Sequence, residues 1–299
     1  MSAQRAGVVY SLAASSFFAV MYFYVTLLKP FDAQQIYGWR ILLSAPLLAL
    51  LLVATRHWGE VVAIAQRARA RPALLPLLVL SSFLLGVQQW IFMWAPLHGF
   101  ALDVSLGFFL LPLAMVLTGR LVYGERITRP QQLACACAAI GVGNELLFAP
   151  RLSWPVFVVC LGYPVYFVLR RRMRTHNLGG MWIDLALSAP VGLAFVLAGA
   201  ADAGTRPAPD ATTWLLVLGL GFISSGGVAC MFLASHRLSL ALFGLLGYVE
   251  PVLLVLVALL LGERIAPQQW LTYGAIWTAI AVLVAEGLRS LRQRPEAAG

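Results

Sequence analysis

Long, nearly uninterrupted apolar runs are the feature of this sequence that most restricts its possible folds. Hydrophobic residues make up 61% of the chain and charged residues only 11%, which is more apolar than a soluble domain of this size requires. A membrane-spanning helix needs about 20 apolar residues, because backbone groups in hydrocarbon must hydrogen-bond to one another. A membrane β-barrel would show short segments of alternating polarity instead. The sequence therefore predicts an all-α integral membrane protein.

Charged residues, prolines and glycines divide the apolar sequence into ten predicted transmembrane helices. These residue types mark the ends of apolar helices and the loops between them. The sixth predicted span is short and contains both Pro155 and Pro164. The ten spans cover residues 7–28, 35–54, 74–95, 102–122, 131–148, 154–170, 180–201, 213–234, 239–261 and 268–288.

The basic residues lie mainly in short loops between the apolar runs. A net charge of +9 would suggest nucleic acid as the partner of a soluble protein, but loop arginines in a membrane protein are topology signals, and we expect no nucleic-acid partner. Most of them fall on one side of the predicted membrane, which places both termini in the cytoplasm. The basic stretch at residues 57–72 is expected to lie as a short amphipathic segment against anionic membrane lipid.

The four cysteines lie inside predicted spans, where a thiol behaves as a small apolar residue. They predict no disulfide framework, although the Cys135-x-Cys137 spacing leaves a metal site as an alternative. The sequence contains no Walker loop and no zinc motif, so we expect no cofactor and no metal. Any pumping must then draw on ion or substrate gradients. The other two cysteines are Cys160 and Cys230.

A weak internal repeat gives the chain its predicted organisation. The segment YGERITRPQQL at 123–133 is matched by LGERIAPQQWL at 261–271, and each follows an intramembrane proline, Pro112 or Pro251. The two segments are five spans apart, and an odd number of spans reverses the direction of the chain through the membrane. The sequence therefore predicts two inverted five-helix halves, an architecture found in many secondary transporters.

These and other motifs resemble the EamA-type branch of the drug/metabolite transporter superfamily, and within it the RarD-like proteins. The resemblance covers nearly the whole chain. In the first half it is carried by Trp39-Arg40, by Trp90, Trp94, Ala95 and His98, by SLGFF followed by Pro112, and by GER at Gly124. In the second half it is carried by Arg170 to Arg172, by GMWID at Gly180 to Asp184, by His236 to Leu240, and by the segment from Pro251 to GER.

The resemblance implies an inner-membrane carrier that exports small metabolites or drugs. It assigns one EamA-like five-helix repeat to residues 1–150 and a second, inverted repeat to residues 151–299. The central cavity would be lined mainly by spans one, three, four, six, eight and nine. The chain departs from the RarD pattern at Glu250, where a small residue is usual, and its first span lacks the carboxylate of the small multidrug exporters.

Glu250 lies near the middle of predicted span nine, immediately before Pro251. An ionised side chain at the bilayer centre costs about 2.5 to 3.5 kcal/mol on insertion scales, so it should face a cavity or a partner, or carry a proton. We predict Glu250 as the coupling residue, with a protonated carboxyl that joins two helices as the alternative. Pro251 would free backbone groups near Gly247 and Tyr248 at the same depth.

Several other side chains are candidates for lining a substrate cavity. Gln88, Gln89 and Trp90 in span three combine amides with an aromatic face, as an organic solute requires. Pro112 in span four, preceded by Phe108, has a simple packing kink as its alternative. Small or amphipathic residues of spans six and eight allow close helix packing, and the resemblance makes them cavity candidates. These are Tyr163, Tyr166, Ser224 and Ser225, and Tyr248 and Pro251 join them from span nine.

Charged residues inside the spans have competing interpretations. Arg40 enters span two from the outer side and either braces the fold by pairing with a carboxylate or attracts an anionic group. Asp184 enters span seven near the Arg170 run, where an ion pair is favoured over a binding site. Glu145 and Glu286 lie in spans that the resemblance makes peripheral, and we predict structural roles for both.

The sequence thus predicts a secondary transporter that exports a small organic metabolite or an amphipathic drug, coupled to protons and working by alternating access. A gradient-independent facilitator or amino-acid exporter of the same fold is the alternative within transport. A membrane-embedded lipid-modifying enzyme is the alternative from another class, and it rests only on the acyltransferase-like spacing of His98 and Asp103.

Overall fold

The computed structural model describes residues 3–124, 126, 128–148, 153–201, 208–238, 242–243 and 246–292, with the backbone alone at 3, 145–148 and 287–292. Some sequence predictions concern residues outside this set. They are Glu125 in the first GERI segment, the side chain of Glu145, and the first three residues of predicted span nine at 239–241.

Within the described residues the chain forms eleven α-helices and contains no β-strand, which confirms the predicted all-α class. Two short 3-10 helices, Val25–Leu27 and Pro267–Gln269, follow the first helix and precede the last. The helices are α1 (Ala3–Tyr24), α2 (Ala33–Ala54), α3 (Trp58–Ala70), α4 (Leu74–His98), α5 (Ala101–Tyr123), α6 (Arg129–Phe148), α7 (Trp154–Met173), α8 (Leu178–Ala201), α9 (Ala211–Ser235), α10 (Val249–Leu260) and α11 (Trp270–Arg292).

Six of these helices are long and apolar enough to cross a membrane, namely α1 with its 3-10 continuation, α2, α4, α5, α8 and α9. Helix α10 is also apolar but only 12 residues long. Helices α6, α7 and α11 coincide with predicted spans five, six and ten but are less apolar, because they carry polar residues such as Asn144 and Arg170. The multi-pass character of the chain follows from the six apolar helices, and the count of ten remains a prediction.

Local sequence explains where several helices begin and end. Asp32 opens α2 with a capping box, because it accepts the Gln35 N–H at 2.8 Å while the Gln35 side chain accepts the Asp32 N–H at 3.2 Å. The hydroxyl and the N–H of Thr213 both donate to Asp210 ahead of α9, which holds the pKa of that carboxyl below its usual value. Gly99 ends α4 in the left-handed conformation with φ of 72°, which a residue without Cβ adopts readily.

The chain divides into two compact units. The α2–α8 unit contains residues 16–100 and 165–232, and the α6–α11 unit contains residues 1–15, 101–164 and 233–299. Each unit therefore takes segments from both halves of the sequence.

Helix α2 packs closely along α8 in the α2–α8 unit. Gly38 lies directly against the backbone of Gly192, and two facing glycines allow a shorter distance between helices than larger side chains would. The Trp182 indole N–H donates to the Ala45 carbonyl at 3.0 Å across the same pair of helices. Helices α2 and α8 therefore form a closely packed pair within the unit.

Helix α3 is the amphipathic segment that the sequence predicts between spans two and three. It buries Val61, Ile64 and Ala68 on one face. Its polar residues hold the turn between α7 and α8. Glu60 accepts the Gly179 N–H at 2.9 Å, and the Arg67 guanidinium donates to carbonyls at the end of α7. These acceptors belong to Met173 at 3.0 Å and Arg174 at 3.1 Å.

In the α6–α11 unit, α6 packs on α11 and α5 packs on α10. Gly141 lies against the backbone of Thr272, whose hydroxyl donates to the Gly141 carbonyl at 3.1 Å. The Asn144 amide donates to the Gln268 carbonyl at 2.8 Å and to the Thr272 hydroxyl at 3.1 Å. Polar contacts and close backbone approach therefore join two helices that are less apolar than their neighbours.

The two GERI segments share local backbone features. Gly124 and Gly262 both adopt left-handed conformations after a helix end, with φ of 67° and 90°. Gln131 and Gln269 each accept, at 3.0 Å, the backbone N–H of the residue three positions earlier. The repeated residues therefore end one helix and begin the next in the same way.

Candidate solute-binding site

A small polar pocket lies inside the α2–α8 unit, lined by α2, α4, α8 and α9. Four of its polar side chains are at least nine-tenths buried, with exposures of 7% for Arg40, 6% for Ser44, 7% for Gln89 and 2% for Ser224. Its volume is about 20 Å³, which is enough for one water molecule. The pocket also includes Ser225 and apolar residues, namely Leu48, Met181, Leu185 and Val228.

Hydrogen bonds in the pocket satisfy some polar atoms and leave others unused. The Nε of Arg40 donates to the Ser224 hydroxyl at 3.0 Å. The hydroxyl oxygens of Ser44 and Ser225 are buried, and neither has a hydrogen-bond partner among the described residues. A buried hydroxyl in this state costs roughly 1–3 kcal/mol. The pocket therefore favours a polar atom that would bind to both serines.

The local sequence accounts for this arrangement. Arg40 and Ser44 are four residues apart on α2 and so share one helix face. On α9 the two serines precede Gly226 and Gly227, and Phe17 and Phe18 of α1 pack against these glycines. The structure thus brings together four residues that the sequence singled out: Arg40, Gln89, Ser224 and Ser225. Sequence reasoning missed Ser44, for which the spacing from Arg40 was the available signal.

Asp184 forms the ion pair that the charge pattern predicts. Its Oδ2 lies 3.6 Å from the Arg170 guanidinium and accepts the Tyr166 hydroxyl at 2.9 Å. Arg170 donates in turn to the Tyr166 oxygen at 2.5 Å. The Ser82 and Ser188 hydroxyl oxygens lie 2.9 Å apart, and each is within hydrogen-bond distance of the Asp184 carbonyl, at 2.8 Å and 2.9 Å. Tyr166, a predicted cavity residue, is thus part of a buried network that joins α4, α7 and α8.

The remaining donors of Arg170 hold the turn between α7 and α8. Its Nε and one terminal nitrogen donate to the Thr175 carbonyl, and the same nitrogen donates to the Asn177 carbonyl at 2.7 Å. A guanidinium group with this many acceptors braces the fold, because each donated bond fixes its orientation further. The geometry favours a structural role for the Arg170–Asp184 pair.

The aromatic residues at the end of α4 pack against one another. The Trp90 and Trp94 rings are 5.7 Å apart, and His98 stacks on Trp94 at 4.4 Å. The Nδ1 of His98 lies 2.8 Å from the Trp94 carbonyl of its own helix. Gln88 precedes this stack and is 2% exposed. These contacts indicate that His98 stabilises the C-terminal end of α4.

Two predicted cavity residues meet in the α6–α11 unit. The rings of Phe108 on α5 and Tyr163 on α7 are 5.7 Å apart. Gly107, next to Phe108, lies against Val159 and the Val156 carbonyl, so α5 and α7 approach closely at this level. Pro112 lies four residues further along α5, inside the helix.

Span nine is not one continuous helix. Leu246 is helical, Gly247 and Tyr248 form a turn, and α10 then begins at Val249. Pro251 therefore lies in the first turn of α10, where a missing N–H breaks no helical hydrogen bond, and the turn falls at the two residues near which the sequence predicts freed backbone groups. Glu250 is half-buried at this helix start, where the helix dipole favours a negative charge.

The apolar helices, the buried polar pocket and the interrupted span nine define a polytopic helical membrane protein. The model of the EamA-like transporter family matches residues 5–143 and again residues 153–285. The chain therefore belongs to the EamA-like transporter family, and its similarity to RarD proteins agrees with the predicted resemblance.

Three relatives illustrate this similarity. The chain is 44% identical over 290 residues to the chloramphenicol-sensitive protein RarD of Pseudomonas aeruginosa, covering 96% of each protein. It is 34% identical to an uncharacterised transporter of Pasteurella multocida, covering 96% of this chain and 98% of that protein. It is 27% identical to the protein RarD of Streptomyces exfoliatus, covering 97% of this chain and 91% of that protein.

A solved crystal structure shares the fold, with a TM-score of 0.58 at 16% identity over 95% of this chain and 99% of the other. Because the relatives are transporters, the chain is a transporter and not an enzyme. The family implies a small-molecule substrate and a membrane environment. The spacing of His98 and Asp103 consequently has no catalytic meaning here.

Proposed function

We propose that this protein is a secondary active transporter that exports a small organic metabolite or an amphipathic drug from the cytoplasm. The name of its Pseudomonas relative refers to chloramphenicol sensitivity, which makes amphenicols reasonable first solutes to test. The family assignment supports transport, and the lack of an ATP-binding motif in the sequence supports a gradient as the energy source.

Alternating access follows from the proposed architecture of ten helices in two inverted repeats, residues 1–150 and 151–299. The two separate matches to the family model and the shared backbone features of the GERI segments support this organisation. Five spans in each repeat reverse its direction, so that the same site can open to either side as the repeats move. The protein lies in the inner membrane with both termini in the cytoplasm, as the arginine distribution indicates.

Glu250 is the proposed proton-coupling residue. The observation that carries this assignment is the break in span nine at Gly247 and Tyr248, which ends two residues before the glutamate. Irregular backbone at membrane depth is tolerated where it lines a cavity or is buried in protein, and interrupted helices hold the substrate and ion sites of many transporters. A carboxyl at such a place can exchange a proton between the two sides of the membrane.

Counterflow in proteoliposomes tests transport directly. Vesicles containing the purified protein and preloaded with unlabelled solute should accumulate the labelled solute transiently, for at least one of amphenicols, amino acids or nucleosides. Protein-free vesicles give the background. Flux that depends on counter-substrate but ignores a pH gradient would favour the facilitator or amino-acid exporter, and absence of all flux would contradict the proposed function.

A further inference from the structure

We propose that the polar pocket of the α2–α8 unit binds a carboxylate group of the transported solute, with Arg40 as the residue that recognises the charge. This inference rests on the proposed transport function and names the class of solute. Carried compounds would then be organic acids or zwitterions.

The pocket has a positive electrostatic character. Of the described residues that line it, Arg40 alone is charged. A guanidinium stays protonated and offers planar N–H donors that match the geometry of a carboxylate. The carboxylate of Asp184, on the lining helix α8, is already held by Tyr166 and Arg170. The field in the pocket therefore attracts an anion.

The uncharged polar groups complete a site for one anionic oxygen. The hydroxyls of Ser44 and Ser225 are buried without partners and can both donate to it. Ser224 accepts from the Nε of Arg40 and so fixes the orientation of the guanidinium. The Gln89 amide lines the same space and supplies a further donor.

The size of the pocket limits the site to one anionic oxygen. Its 20 Å³ admit about one oxygen atom, so one carboxylate oxygen enters while the rest of the solute remains outside. A halide ion also fits by size, and a titration with chloride distinguishes halide binding from carboxylate binding.

The test is a thermal-shift titration of the purified protein in nanodiscs with formate and acetate. Acetamide serves as the neutral analogue of acetate, and chloride as the inorganic anion. Formate and acetate should raise Tm saturably, and acetamide should not. Arg40→Gln should weaken the apparent affinity for formate and acetate by about tenfold or more, as expected for a lost charged hydrogen bond. Arg69→Gln, at an exposed arginine on α3, is the matched control and should leave the response unchanged.

Three results would overturn the assignment: equal stabilisation by acetamide, an unchanged carboxylate response in Arg40→Gln, or saturable binding of chloride alone. If Arg40→Gln does not fold, the double variant Ser44→Ala, Ser225→Ala is tested in its place. This double variant keeps the charge of Arg40 and removes the two serine hydroxyls. An unchanged carboxylate affinity in that double variant also contradicts the site.

The two proposals fail in different ways. Solute flux that excess formate and acetate do not inhibit would leave the transport function standing and remove the carboxylate site. The wild type could instead bind carboxylates, lose that binding in Arg40→Gln, and carry no solute in counterflow. That combination would support the anion site and contradict the transport function.

Discussion

Tyr166 connects the two charged groups buried between α7 and α8. Its hydroxyl accepts a hydrogen bond from Arg170 and donates one to Asp184, so a single oxygen serves both charges. We expect Tyr166→Phe to lower the free energy of unfolding by roughly 1–3 kcal/mol, the usual effect of leaving buried charged groups less well satisfied. Tyr163→Phe on the same helix is the control. Thermal denaturation of both variants in detergent measures the effect, and equal midpoints would contradict it.

The ion pair of Asp184 could be predicted because sequence shows which charges lie near the same membrane face. The position of Tyr166 between the two charges could not be predicted, because it depends on how α8 packs beside α7. Ser44 was missed for a similar reason. One serine within an apolar span is typical of helix packing, and its role in the pocket depends on Ser225 and Gln89 from two other helices.

Helix packing between α2 and α8 depends on glycine at the closest contact. A Cβ at Gly38 would overlap the Gly192 carbonyl oxygen, which belongs to a rigid backbone. We expect Gly38→Ala to force the helices apart and destabilise the protein by about 1–3 kcal/mol. Gly59→Ala is the control, because a Cβ there meets no atom within 4 Å. A melting temperature for Gly38→Ala no lower than that of Gly59→Ala would show that the Gly38–Gly192 contact does not require glycine.

The start of α5 is capped by a residue from the second half of the chain. Glu263, in the second GERI segment, accepts the N–H groups of Ala101 and Leu102, both at 2.7 Å. Removal of an N-terminal cap costs about 0.5–2 kcal/mol, and a carboxylate there also interacts favourably with the helix dipole. Glu263→Gln should therefore speed hydrogen exchange at these two amides.

Glu286→Gln is the comparison for this cap, because the Glu286 carboxylate accepts from the Thr128 hydroxyl at 2.5 Å and not from α5. Unchanged exchange at Ala101 and Leu102 in Glu263→Gln would contradict the capping role. The sequence did not indicate that Glu263 caps α5, because that helix begins 162 residues earlier in the chain.

Span nine shows where helix prediction from apolar runs fails. The run at 239–261 reads as a single helix, whereas the described backbone turns at Gly247 and Tyr248 and restarts as α10. Hydropathy cannot detect such a break, because the turn residues are as compatible with hydrocarbon as their helical neighbours. Pro251 was the available signal, and it marks the first turn of the new helix.

At the scale of the whole molecule, the proposed topology places both termini in the cytoplasm. A green fluorescent protein fused to the C-terminus should therefore fluoresce, and alkaline phosphatase at the same position should be inactive. A fusion after Ala208, in a loop predicted to lie outside, should give the opposite pattern. The reverse activities at either position would contradict the inverted arrangement of the halves.

The class of protein could be predicted from sequence because the apolar runs extend along the whole chain and the GERI segment recurs five predicted spans later. The solute could not, since its proposed pocket combines single side chains from four helices. Long patterns specify architecture, whereas specificity depends on a few atoms whose proximity only the folded chain establishes.

Proton-driven flux in proteoliposomes tests the central claim of a coupled secondary transporter most directly. With a pH gradient imposed, the wild type and Glu286→Gln should move solute faster than without it. Glu250→Gln should retain counterflow yet lose the response to the gradient, because an amide cannot release a proton. Gradient-driven flux in Glu250→Gln equal to that of the wild type would contradict the coupling role.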